Sequence, residues 1–382
     1  MNIEALKNIY RVNLGIKRGE RVLVFTDTIS KKEAGKLSRA EIKRRTRLRE
    51  IAREAAKAGA GLAGKIIYRE YVSRGAPAME PPEALWREAF GEKAVAALSK
   101  KGLLAPILKK RITDSGMAQA EAIVKKHAPD AVDAVIALPN YSTTHTTFRK
   151  LLTKQGGARY ASMPLFDEGM LEGPLHVDYR EMKRLSAGIA KAVKTAVSIE
   201  IKTPNGTDIV MRRGRRAVME DTGDLRRPGS TSNLPAGEVY LAPVEGSANG
   251  TLVLEWGPTR KLKSPVTLVV EEGSVVRIGG REPFVKELAR RLSVAPECAN
   301  IAELGIGTNA LAKRPDNILE SEKILGTVHI ALGDNHTFGG KVKAPFHQDF
   351  VFFNPTLTLV DGKGGRKTII KKGRLETKEV RK

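Results

Sequence analysis

Three of the chain's six histidines, His329, His336 and His347, fall within residues 325–350, LGTVHIALGDNHTFGGKVKAPFHQDF, alongside Asp334 and Asp349. Imidazole nitrogens and carboxylate oxygens are the donors with which a protein lacking thiolates holds Zn, Mn, Co or Fe. Cys298 is the sole cysteine, so neither a thiolate cluster nor an internal disulfide is open to this chain. In PFHQDFVFF, His347 and Asp349 stand two apart in a strand-like run. A period of two puts both on one face and Phe346, Phe350 and Phe352 on the other. So placed, the pair could share a cation at bond lengths of ~2.0–2.2 Å, or only hydrogen-bond to each other on a wet sheet face. His329 sits mid-strand in GTVHIALGDN, pointing into the core or into a cleft at the strand's end. Glu238 opens a strand after the Pro-Ala-Gly turn of NLPAGEVYLAP, and Glu303 lies in IAELGIGTN just before a glycine-rich turn. Either glutamate alone reads as a surface carboxylate.

Other chemistries leave no signature. GIG lacks the third glycine and the strand–turn–helix setting of a dinucleotide fingerprint. Neither a Gly-x-Ser-x-Gly elbow, a His-Glu-x-x-His helix nor a phosphate-binding loop occurs in the sequence.

The elements that must carry these residues fall into two halves. In the first, strand and helix patterns alternate. ERVLVFTD (20–27) reads as a strand and residues 32–58 as one long helix stopped by AGAGLAG. KIIYREYV (65–72) is a second strand, a helix covers 115–127, and DAVIALP (133–139) is another strand. Such alternation implies a parallel sheet flanked by helices. Beyond about residue 190 strands dominate, with a hairpin signal at Asn205-Gly206 and another at 271–273. The expected architecture is an α/β N-terminal domain (1–188) and a strand-rich α+β C-terminal metal-binding domain (189–382). The tail GRLETKEVRK is expected to fray.

At 382 residues, 41% hydrophobic and 29% charged, the composition is that of an ordinary globular protein. No apolar run approaches the roughly 20 residues of a membrane helix, and residues 1–20 lack a secretory pattern; a cytoplasmic location is expected. The net charge of +23 invites a nucleic-acid reading. The basic residues are dispersed, however, and aromatics make up only 5%. Both facts argue against nucleic acid as the main partner.

Taken in order, NLPAGEVYLAP, AELGIGTN, GTVHIALGDN and FHQDF resemble the aminopeptidase T/aminopeptidase S group of metallopeptidases. GERVLVFTD, YSTTHTTFRK and GARYASMPLFDEGML extend the resemblance over nearly the whole chain. The resemblance implies a metallo-aminopeptidase, a hydrolase that releases N-terminal residues from peptides. It further implies a homodimer and two divalent ions (Zn, Co or Mn) in the C-terminal domain. Residue by residue, it places Glu238, Glu303, His329, His347 and Asp349 at metal-ligand positions. Two positions depart from the family. Ile324 stands where the family has a further ligand glutamate, with Glu322 the nearest substitute, and His336 replaces a catalytic tyrosine.

On that basis a metal-activated water would attack the scissile carbonyl. Glu322 is then the candidate general base, and His336 the hydrogen-bond donor to the tetrahedral intermediate. The rival on the same scaffold is a ring-cleaving dioxygenase of the 2,5-dihydroxypyridine type with a single Fe(II). His329, His347 and Asp349 would supply its two-histidine, one-carboxylate site. His145, at the end of the 133–139 strand, would then serve as acid or base.

Overall fold

A computed structural model describes residues 2–376; the expected fraying of the tail from Thr377 onward lies outside the described residues. The chain divides into two compact units, Met1–His176 with Gly223–Pro235, and Val177–Thr222 with Ala236–Lys382.

The first unit is built on a five-stranded sheet. Its spatial order is Lys65–Val72, Arg21–Thr28, Ala134–Ala137, Arg159–Ser162 and Thr231–Asn233, and every pair is parallel. The unbroken apolar runs Val22–Phe25 and Ala134–Ala137 are buried, as parallel strands covered on both faces require. The helix expected over 32–58 is two helices, Lys31–Ala34 and Arg39–Ala58. The break has a local cause. Gly35 ends the first piece, and the Ser38 side chain accepts from the Glu41 amide to cap the second, offering the backbone a better start than continuation. The buried stripe Leu48, Ile51, Ala52 and Ala55 then anchors the long helix. Its basic residues are largely paired: Arg44 with Glu41, Arg47 with Glu50 and Glu168, and Arg49 and Arg53 with Glu70.

The second unit stacks two antiparallel sheets, one of eight strands and one of five. The hairpin expected around Asn205-Gly206 pairs Ser198–Lys202 with Asp208–Arg212. That around 271–273 pairs Lys261–Glu271 with Ser274–Gly279. The smaller sheet runs His347–Phe352, Val328–Gly333, Ile301–Gly307, Glu238–Leu241, Met219–Asp221. One of its faces enters the core: Val239, Leu241, Leu304, Ile306, Val328, Ile330, Leu332, Phe350 and Phe352 pack with residues of the larger sheet and of helix Tyr179–Thr195. Among the described residues no helix is long and apolar enough to cross a membrane.

Candidate metal centre

The period of two that sends those residues into the core sends their neighbours to the opposite face of the smaller sheet. That face carries Glu238, Tyr240, Glu303, His329, His347 and Asp349. The register lines them up: Glu303 lies opposite Ala331 and Ala331 opposite Asp349, while His329 faces Gly305 and His347 faces Gly333. Small residues pave the gaps. A Cβ at Gly305 would stand 2.0 Å from His329 Nε2, so the imidazole lies flat across a strand with no side chain at that point.

Two groups of donor atoms converge, Glu238–Glu303–His329 and Glu303–His347–Asp349, sharing Glu303. His329 Nε2 is 3.3 Å from Glu238 Oε2 and 3.6 Å from Glu303 Oε1. His347 Nε2 is 3.4 Å from Glu303 Oε2 and 3.5 Å from Asp349 Oδ2. Such distances are long for N–H···O bonds, which cluster near ~2.9 Å. They match the edges, roughly 3.3–3.6 Å, of a tetrahedron of donors around an ion with ~2.0–2.2 Å bonds.

Two further observations fit a cation. Among the described residues, the buried Glu238 Oε2 has no hydrogen-bond partner, and a buried carboxylate oxygen without a donor is costly unless a charge meets it. His347 Nδ1 donates to the Asp334 carbonyl at 2.8 Å, which leaves Nε2 as the lone-pair nitrogen facing Glu303 and Asp349. This backing is usual for a ligating histidine. Asp334 is itself held, its carboxylate accepting from the Ala344 amide and from His336 Nδ1.

The electrostatics agree. Burial raises Glu238, against the pull of Lys323 and His329. Burial would also raise Glu303 and Asp349, but the imidazoles outweigh it and hold both below the usual carboxylate range. The same carboxylates overcome burial at His329, raising it to about 9, and raise His347 well above its ordinary value. A cluster that draws protons onto two imidazoles is one in which a divalent ion competes with those protons.

The remaining candidates are placed differently. Glu322 is close enough to be raised by burial and by the Asp349 carboxylate, to about 8. His336 is half-exposed and bonded to Asp334, outside both donor groups. His145 is exposed in the first unit, on the turn before helix Thr147–Lys154.

Sequence reasoning passed over three residues here. Lys323 is 1% exposed and its ammonium reaches Glu238 Oε1 at 2.7 Å and Glu322 Oε2 at 3.0 Å. Burial works against that charge, yet the two carboxylates keep its pKa well above the ordinary lysine value. Tyr240 and Phe338 meet edge to face with centroids 6.0 Å apart, and Phe338 meets the His347 ring at 5.8 Å. No spacing rule flags these three, although Tyr240 shares the parity of Glu238.

A family model described as NicX, 2,5-dihydroxypyridine 5,6-dioxygenase, matches residues 176–377. That is more than half of the chain and includes every residue of the donor cluster. The chain belongs to this family. It is 27% identical over 195 residues to the 2,5-dihydroxypyridine 5,6-dioxygenase of Pseudomonas putida, an alignment covering 47% of this chain and 55% of that protein. The chain thus spans about half the length of the curated relative it matches. The solved structure of a 2,5-dihydroxypyridine dioxygenase from Pseudomonas putida superposes with a TM-score of 0.66 at 19% identity, over 100% of this chain and 98% of the other. The structure of AmpT from Thermus thermophilus superposes with a TM-score of 0.52 at 15% identity, over 98% of each chain.

These findings correct the hydrolase reading. The motif resemblance to aminopeptidases reflects a shared fold, since AmpT is similar here in structure at low identity. The family match and the curated relative lie instead with a 2,5-dihydroxypyridine 5,6-dioxygenase. The oxyanion role expected of His336 belonged to that hydrolase reading, and the structure puts His336 outside both donor groups.

Proposed function

We propose that the protein is a mononuclear iron-dependent oxygenase that opens a dihydroxylated pyridine ring with O2. The observation that carries this reading is that the stretch matched by the dioxygenase family, residues 176–377, contains the whole cluster of two imidazoles and their carboxylates. His347 and Asp349, which converge with Glu303, and His329, which meets the other oxygen of Glu303, would hold the iron, a donor set that leaves positions open for further ligands. Bound there, ferrous iron supplies the one-electron chemistry that lets a closed-shell ring react with O2.

The chain's own residues do the rest. Tyr240, Phe338 and the His347 ring form a run of edge-to-face aromatic contacts, a surface suited to a flat ring substrate. Burial and the Asp349 carboxylate raise Glu322, to about 8. Its Oε2 accepts from Lys323, which leaves Oε1 as the oxygen that would pass a proton to or from a ring hydroxyl.

The test is to load anaerobically purified protein with Fe(II), add 2,5-dihydroxypyridine and admit air. Loss of the aromatic absorbance with one O2 consumed per ring is the expected result. Unchanged substrate and no oxygen uptake, from protein shown to contain iron, would exclude the reading.

A further inference from the structure

Lys323 stands out because a buried lysine almost never occurs without a reason in its surroundings. Its position is built in. The bare backbone of Gly307 lets residues 323–324 pass directly against the Glu303 strand, since a Cβ there would stand 2.0 Å from the Ile324 carbonyl oxygen. The Asn309 amide donates to the Lys323 carbonyl at 2.8 Å, and the Lys323 amide donates to the Glu320 carbonyl at 2.9 Å. From that fixed point the side chain runs inward to Glu238 and Glu322.

We propose that the Lys323 ammonium takes the place of a second metal ion and thereby limits the cluster to one. This inference rests on the one-metal reading above and assigns the residue responsible for it. The donor atoms form two groups with Glu303 in common, the layout of a two-ion site. A second ion beside the one held by His329, His347 and Asp349 must draw on the remaining carboxylates, Glu238, Glu303 and Glu322. Two of these already accept from the ammonium, Glu238 through Oε1 at 2.7 Å and Glu322 through Oε2 at 3.0 Å. A divalent ion on Glu238 would also face that ammonium across a single carboxylate, where little water is present to screen the repulsion. Lys323 is therefore a positioning residue. It holds Glu238 through Oε1 and Glu322 through Oε2, and sets its charge where a second ion would sit, without touching the reacting atoms.

The test titrates full-length protein with Mn(II), reading stoichiometry by equilibrium dialysis and magnetic coupling by electron paramagnetic resonance. The wild type is expected to saturate at one Mn(II) per chain with the spectrum of an isolated ion. Lys323→Ala, which removes the charge and opens its space, is expected to take two, with the spectral signature of a coupled pair. A merely structural lysine would change stability without raising the stoichiometry. Should Lys323→Ala fail to fold, Lys323→Met, of similar length and uncharged, is read in the same way. A folded variant that stays at one ion overturns the inference, as does a wild type that takes two. A wild type that binds none overturns the metal reading itself, and this inference with it.

Discussion

His329 and Gly305 face each other across two strands, and the geometry of the site depends on the glycine having no side chain. Gly305→Ala would place a methyl 2.0 Å from His329 Nε2, so the ring must turn away. Metal affinity is expected to fall roughly 10–100-fold, the usual cost of misorienting a ligand, while the core face of the strand keeps its packing; metal titration with a parallel thermal melt checks both. Asp349→Asn keeps the shape but removes the charge that His347 faces at 3.5 Å. It is expected to abolish tight metal binding and oxygen uptake together, and retention of either would remove Asp349 from the ligand set. At this scale much of the site was legible. His347 and Asp349 two apart imply a shared face, and the ordered motifs added Glu238, Glu303 and His329. Lys323 was not legible, because a lysine beside a glutamate in SEKILG reads as solvated, and only the folded backbone carries it inward.

The smaller sheet works as an element because its two faces have opposite duties. Phe350 and Phe352 enter the core while His347 and Asp349 face the site, so a one-residue slip in register would exchange them. Phe350→Ala is expected to cost about 3–5 kcal/mol of stability, measured by denaturant titration, and to loosen metal binding through the neighbouring Asp349. A loss below about 1 kcal/mol would show that this strand is not held by its core face. Alternating patterns and Asn-Gly turns made the strands and hairpins of this half readable from sequence. The interruption at Gly35–Ser38 was not read, because helical periodicity continues across it and a capping serine is outvoted by its neighbours.

For the molecule as a whole, the fold class followed from β-α-β alternation giving way to strands, and the two sheet types bear it out. The reaction did not follow. The structures of AmpT and of a 2,5-dihydroxypyridine dioxygenase share this fold, and function resides in the site set on a fold rather than in the fold; the departures at Ile324 and His336 were the local hints. If the cluster holds a resident ion, chelation should lower the melting temperature. An ion present at 100 times its dissociation constant contributes about 2.7 kcal/mol to the folded state. Equal melting of chelated and iron-loaded protein would contradict a resident ion.

The proposed reaction inserts oxygen into a ring rather than adding water across a bond. It is tested most directly by running the Fe(II)-loaded protein on 2,5-dihydroxypyridine under isotopically labelled O2 and weighing the ring-opened product. Two labelled oxygen atoms in that product are the predicted result. Product whose new oxygen comes only from solvent water would contradict the account.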